Sequence, residues 1–185
     1  MALSSDALDI AIICSSKAKE FEGKDSRFEV IGSVITNSSV IIMRDRENKR
    51  IGVSSGRQYE KEMISNMLGN DYAPFAMDTR SLPYVMQSGN VGGVVIDYIN
   101  SINIEGERIY PKKQDNFHSY SIIVRKEFIQ NGKFEDFKDK YNKTITYLLE
   151  GNNMLREAEA LLGGSYTNER RIQEWQKLNI KIPTI

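Results

Sequence analysis

A two-lobed α/β fold, with helices on both faces of its sheets and a helical C-terminal tail, is what this sequence predicts. Three features carry the prediction. Short runs rich in isoleucine and valine alternate with amphipathic stretches before about residue 125. Small polar loops join strand to helix in that region. Beyond it, apolar residues recur only at helical spacing.

The elements follow in order. Leu8-Asp9-Ile10-Ala11-Ile12-Ile13-Cys14 is too short for a helix and rich in isoleucine, so it reads as a buried strand ending in a polar loop at Ser15-Ser16. Phe28 to Ile35 and Ser39 to Arg44 are two further strands, broken by Thr36-Asn37-Ser38. Arg50-Ile51-Gly52-Val53 is another. It is followed by Ser54-Ser55-Gly56 and a helical pattern of Tyr59, Met63 and Met67, with Ser55 and Gln58 spaced as a capping box. The unit repeats with Phe75-Ala76-Met77, then a helix through Leu82, Val85 and Met86. That helix starts at Thr79 or Ser81, tolerates Pro83 in its first turn and closes at Gly89. Strands return at Gly92 to Asp97, Arg108 to Tyr110 and Tyr120 to Arg125. In the tail, Phe134, Phe137, Tyr141, Ile145 and Leu148 make one core-facing stripe ended by Gly151. Leu155, Ala158 and Leu162 mark a second helix, Gly163-Gly164 its cap and turn, and Ile172, Trp175 and Leu178 a third.

Composition narrows the function classes. Across 185 residues, 25 basic and 25 acidic side chains cancel, so no global field favours nucleic acid or an anionic membrane, and no nucleic-acid partner is expected. The single cysteine excludes an internal disulfide, and one histidine is too few for a structural zinc site. No cofactor is expected, because the spaced glycines of a phosphate-binding loop or dinucleotide fingerprint are absent. Residues 1–8 have no basic segment and no long apolar stretch, and nothing elsewhere reaches the roughly 18 apolar residues of a span, so a soluble chain is expected. Its compartment, cytoplasmic or extracytoplasmic, stays open.

The Ser39 to Arg44 run echoes Ser121 to Arg125, and both flank the same βαβαβ block. The expectation is that Val40 to Arg44 and Ser121 to Arg125 lie side by side as the connection between lobes. Residues 1–40 and 118–185 would then form lobe one with the C-terminal helices, and residues 41–117 lobe two.

From Leu8 to Leu178 the series of elements resembles the type II periplasmic-binding-protein-like family, the solute-binding proteins of ABC transporters. The likeness lies in Leu8-Asp9-Ile10-Ala11 late in the first lobe, in a crossing strand ending at Arg44, and in Arg50-Ile51-Gly52-Val53 opening the second lobe. It also lies in Ser88-Gly89-Asn90-Val91-Gly92-Gly93-Val94, where Gly92 stands in place of the family's usual aspartate. The resemblance implies a protein that closes its two lobes on a small polar or anionic ligand by a hinge across the crossing strands, with a membrane permease as partner. A small-carboxylate enzyme of cofactor biosynthesis on the same fold is the alternative, since fold does not fix function. Family members carry a further βαβ segment ahead of the strand that begins at Leu8. Lobe one is therefore expected to expose apolar sheet that a second copy covers, giving a homodimer.

In such a fold ligands sit beyond the carboxyl ends of strands, where loops lead into helices. Ser54, Ser55 and Gly56 offer hydroxyls and N–H groups at a helix start, suited to a carboxylate, phosphate or oxyanion, and Arg57 would add a guanidinium. The competing readings are an ordinary helix cap and a solvated arginine. Ser15 and Ser16 would face the crevice from the other lobe. Asn37, His118 and Tyr120 precede the crossing strands, and Asp97 and Tyr98 end the Val94 to Ile96 strand. Cys14 reads as a small buried hydrophobe, with a Cys14–His118 dyad as its reactive alternative.

Overall fold

The computed structural model of the chain describes residues 3, 5, 7–162 and 169–185. They form two compact units. Unit 1 is built from Met1–Ile35, Tyr120–Gln176 and Lys181–Ile185, and unit 2 from Thr36–Ser119 and Lys177–Ile180.

Unit 1 carries a three-stranded sheet in the order β1 (Ile10–Cys14), β8 (His118–Arg125), β2 (Phe28–Thr36), with β1 antiparallel to β8. Alternation along these strands sends side chains to both faces, and helices cover both. On one face Phe28 and Ile123 pack with Ala11, Ile13 and Phe21. Phe21 comes from α1 (Ser15–Lys24) and meets Phe28 edge-on with ring centroids 5.2 Å apart. On the other face Val34, Ile122 and Val124 pack against Phe134 of α6 (Lys133–Leu149), with Phe128 of α5 (Lys126–Gln130) beside it. The C-terminal residues dock on α6 through a reciprocal pair: Asn142 Nδ2 donates to the Ile185 carbonyl at 2.8 Å, and the Ile185 N–H donates to Asn142 Oδ1 at 2.9 Å.

Helix α1 stands where the sequence suggested a loop. Its segment is mostly polar and buries only Ser15 and Ala18, so no apolar stripe announces it. It is supported instead by Glu20 bridging Lys17 at 2.7 Å and Lys24 at 2.6 Å across single turns. In the tail, α7 (Asn153–Leu162) and α8 (Glu169–Lys177) form where the second and third stripes stand. The side chains of Leu155, Ala158, Leu162 and Ile172, and the Gly163-Gly164 pair, lie outside the described residues.

Unit 2 carries a five-stranded sheet ordered β5 (Ala73–Met77), β4 (Arg50–Ser54), β6 (Gly93–Asp97), β3 (Ser39–Met43), β7 (Glu107–Ile109). Strands β5, β4 and β6 are parallel, and β3 runs antiparallel to both β6 and β7. All five residues of β3 are buried, as are Ile51 to Ser54 of β4 and Gly93 to Ile96 of β6, so these strands read as unbroken apolar runs. Pro74 is accommodated because β5 lies at the edge. Helix α2 (Gln58–Met67) links β4 to β5, and α3 (Leu82–Val85) lies on the return to β6.

Two sequence expectations are corrected. Val40 to Arg44 and Ser121 to Arg125 are not a side-by-side connection, because β3, which holds Val40 to Met43, and β8, which holds Ser121 to Arg125, lie in different sheets. The chain passes between the units at Ile35–Thr36 in β2 and at Ser119–Tyr120 in β8, which are sheet neighbours, and again at Gln176–Lys177 and Ile180–Lys181. The Ser55–Gln58 capping box does not form either: Arg57 is the N-cap of α2, without a side-chain cap bond.

Gly92 stands where the backbone of the 45–48 turn comes closest to β6. Its carbonyl accepts the N–H groups of Arg44 and Asp45 at 2.8 and 3.0 Å, and its own N–H donates to the Arg50 carbonyl at 2.8 Å. A Cβ there would fall 2.0 Å from the Asn48 carbonyl oxygen and 2.2 Å from that of Asp45. Only glycine lets the chain pass that close.

Candidate functional site

The parallel strands of unit 2 create a crevice by their connections alone. After β4 the chain leaves towards β5 on one side, and after β6 it leaves towards β7 on the other. The carboxyl ends of β4 and β6 are therefore the switch point of this sheet, the usual place for a ligand in an open α/β layer. Pairing of β4 with β6 covers Ile51–Gly93 and Gly52–Val94 and goes no further, so no ladder bond joins the last residues, Ser54 and Asp97, and the side chains of Glu60 and Arg57 link them instead. Antiparallel β3 adds its first residue to the same edge, because Ser39 pairs with Asp97.

Arg57 sits at the centre. Its Nη1 lies 2.7 Å from Asp97 Oδ2, 3.0 Å from the Tyr59 hydroxyl and 3.2 Å from Glu60 Oε1. Asp97 Oδ1 accepts from the hydroxyls of Ser38 and Ser39 at 3.0 and 3.2 Å, and Ser39 Oγ lies 3.0 Å from the Tyr59 hydroxyl. If Ser39 donates to Asp97, Tyr59 donates to Ser39 and Arg57 to Tyr59, so the ring closes with each donor used in one sense. Glu60 is fully buried and accepts both the backbone N–H of Ser54, at 2.6 Å, and its hydroxyl, at 3.1 Å.

Charge in this edge is set by burial and by the neighbours. Burial pushes the Glu60 carboxyl up to about 7; the bonds from Ser54 and the charge of Arg57 hold it down, while Asp97 adds to the rise. Burial also raises the Tyr59 phenol, with Asp97 and Glu60 acting in the same direction. For Arg57, burial opposes the charge, but Tyr59, Asp97 and Glu60 together more than offset it and raise the guanidinium above its ordinary value. Arg57 is thus a fixed cation inside a carboxylate cage. It is neither a solvated first-turn arginine nor a side chain whose removal would leave the fold undisturbed.

The other sequence candidates are distributed as follows. Ser55 and Gly56 form the exposed tip of the loop. The Ser55 N–H is held by the Met77 carbonyl at 2.8 Å, and Gly56 supplies a left-handed turn at φ 81°. Asn37 is fully buried and left-handed at φ 59°; its amide donates to the carbonyls of Asp115 and Asn179 and accepts from the Phe117 N–H at 2.9 Å. It pins loops of unit 2 together. Tyr98 is buried at the start of a helical turn (Tyr98–Ser101), and His118 is exposed. In unit 1, Ser15 is buried with its hydroxyl 2.8 Å from that of Ser121, Ser16 follows it in α1, and Tyr120 is half-buried in β8. Cys14 is half-buried as the N-cap of α1.

Ser54, Arg57 and Asp97 are therefore the predicted residues that the fold brings into one cluster. Tyr59, Glu60, Ser38 and Ser39 join them there. The signal for Glu60 was its register: it lies three residues before Met63 and four before Ile64, on the buried face of α2.

No protein-family model and no curated protein sequence matches this chain. Solved structures do. The periplasmic aliphatic sulphonate binding protein SsuA from Escherichia coli superposes with a TM-score of 0.67 at 11% identity, over 97% of this chain and 70% of that one. The alkanesulfonate-binding protein SsuA from Xanthomonas axonopodis pv. citri, bound to MOPS, gives 0.63 at 13% identity over 93% and 68%. The ligand-binding component of an ABC-type import system from Staphylococcus aureus, with zinc bound, gives 0.63 at 12% identity over 100% and 70%. Across eight matched structures the chain spans 59% to 79% of the other protein's length. The chain has the periplasmic-binding-protein-like α/β fold, two sheets flanked by helices with a helical C-terminal part. Among the described residues no helix is long and apolar enough to cross a membrane.

Proposed function

We propose that this chain is a solute-binding protein that takes a small polar solute at the carboxyl edge of the unit 2 sheet and serves an ABC-type import system, with a membrane permease as its partner. The observation that carries the reading is the pre-assembled Ser39–Arg57–Tyr59–Asp97 ring at the switch point of this sheet. A rigid edge of satisfied charges costs little to organise when a ligand arrives. A fold shared with import-system binding proteins supports the same conclusion.

An anionic group on the solute fits the start of α2 better than Arg57 itself. The guanidinium already neutralises Asp97, whereas the loop of Ser55 and Gly56 presents the Ser55 hydroxyl and the Gly56 N–H at a helix N-terminus lacking a side-chain cap bond. Thermal-shift screening of alkanesulfonates, carboxylates, phosphates and neutral polar solutes should find the ligand class, followed by calorimetric titration of the best hit. Ser55→Trp, which fills the loop tip while leaving the Arg57 network intact, is expected to weaken binding about tenfold, the scale of one lost charge-assisted hydrogen bond, at an unchanged melting temperature. Equal affinity of wild type and Ser55→Trp would place the solute elsewhere. Turnover of a carboxylate in the same mixtures would make the chain an enzyme.

A further inference from the structure

We propose that β1 is a self-association edge, at which a second copy of this chain adds its own β1 antiparallel across a twofold axis at Ile12. The inference is independent of the solute site, whose residues all lie in unit 2.

The ladder shows which backbone groups point outward. Antiparallel pairs alternate between residues that exchange hydrogen bonds and residues that do not. The Arg125 N–H donates to the Asp9 carbonyl at 2.8 Å, which makes Asp9–Arg125 a bonded pair. In the same register Ala11 faces Ile123 and Ile13 faces Ser121, so these are the next bonded pairs. Ile10 and Ile12 therefore turn their N–H and C=O groups away from β8. Among the described residues no strand lies on that side, since β1 ends the sheet.

Each of the other sheet edges carries a protective device, and β1 carries none. β5 contains Pro74, and β7 is three residues long with Glu107 and Arg108. On β2, the Val30 N–H is occupied by Glu22 at 2.8 Å. β1 is Ile-Ala-Ile-Ile-Cys, without a charge or a proline. Apolar side chains stand exposed along it and just before it: Ile12 is 48% and Leu8 44% exposed, while the one intervening charge, Asp9, is paired with Arg125. A cleft of about 710 Å³ opens beside the strand, lined by Leu3, Leu8, Ala11, Ile13 and Phe21.

The same features identify the occupant as another β1. A twofold axis at Ile12 sets Ile12 against its copy and Ile10 against Cys14, apolar on apolar throughout, and both copies satisfy their outward groups at once. The rim of the cleft carries Lys17 and Lys24 against Glu20 and Asp25. These charges cancel, so nothing there repels a second copy or selects a partner of one charge sign.

Sedimentation velocity of the full chain across a dilution series tests the edge. Wild type is expected to sediment as a dissociable dimer. Ile12→Pro and Ile12→Lys should each raise the dissociation constant about tenfold or more, the first by deleting the outward donor and the second by adding like charges at the axis. Both should keep the wild-type circular dichroism, because the Ile12 N–H takes no part in the β1–β8 ladder. Tyr84→Lys, at a site 71% exposed on unit 2, should leave the dimer unchanged. A wild type that stays monomeric at every concentration overturns the proposal, and so does a dimer that survives both Ile12 variants. Should those variants misfold, hydrogen exchange in the wild type decides: protection of the β1 amides must rise with protein concentration, and concentration-independent exchange overturns the proposal.

Discussion

Gly92→Asp is expected to abolish the native state of unit 2, at a cost above about 4 kcal/mol, beyond the range of an ordinary surface or core substitution. The new Cβ would stand 2.0 and 2.2 Å from two backbone carbonyl oxygens, those of Asn48 and Asp45. Neither atom is the end of a flexible side chain. Asp45 is held by its N–H bond to the Gly92 carbonyl, and Asn48 by its side-chain bond to the Gly89 carbonyl at 3.1 Å. Relief therefore requires the 45–48 turn to detach, and the added carboxylate would meet the same carbonyl oxygens. Gly32→Ala is the control: a Cβ at Gly32 meets nothing within 4 Å, and exchanging glycine for alanine in a strand should be neutral or stabilising by about 0.5 kcal/mol. Urea denaturation and soluble yield of both variants check the contrast. A Gly92→Asp protein with a wild-type midpoint would show that the turn does not lie against Gly92.

That glycine marks the limit of what the sequence discloses. A glycine in a Gly-Gly pair before Val94 is visible to any reader, and its departure from the family's aspartate is visible too. The reason is not, because the clash is with residues 45–48, more than forty positions away in the chain. The strands themselves were legible, since β3, β4 and β6 are buried on both faces and read as continuous apolar runs. For the same reason the crossing strands were misread. Ser39 to Met43 and Ser121 to Arg125 are both wholly buried, and burial fixes composition without saying which sheet a strand joins. Helix α1 escaped notice because charge pairs along its exposed side, not an apolar stripe, support it. At the site, loop position and strand ends were enough to select Ser54, Arg57 and Asp97. What they could not supply was the partner of the arginine, so a guanidinium expected to await an anion proves to be enclosed by the carboxylates of Asp97 and Glu60.

That enclosure gives the protein a pH-dependent stability with a definite sign. The Glu60 carboxyl titrates at about 7 in the fold against an ordinary value of 4.5, chiefly because burial disfavours its charge. Between those values the folded state holds a proton that the unfolded chain has lost. Stability from this group is thus fully present below about pH 4.5, falls as pH rises and is gone above about pH 7. A difference of that size corresponds to about 3 kcal/mol, at roughly 1.4 kcal/mol per pH unit. Glu60→Gln is the neutral mimic: its amide oxygen can still accept from Ser54, and it has no proton to lose. The stability of Glu60→Gln relative to wild type should therefore rise by about 3 kcal/mol from pH 4.5 to 7 and level off above. Carboxylates elsewhere titrate alike in both proteins and cancel in the difference. Arg57→Ala should extend the window upward, because the guanidinium is one of the influences holding the Glu60 value down while Asp97, its remaining charged neighbour, pushes it up. It should also destabilise the fold by a few kcal/mol near neutral pH, the cost of leaving the buried Glu60 and the half-buried Asp97 without their cation. Urea midpoints of wild type, Glu60→Gln and Arg57→Ala across pH 4 to 8 measure all of this. A pH-independent difference between wild type and Glu60→Gln would mean that the Glu60 carboxyl titrates in the fold at its ordinary value, so that near neutral pH the ring around Arg57 is held by a full carboxylate at Glu60 instead of a titrating one.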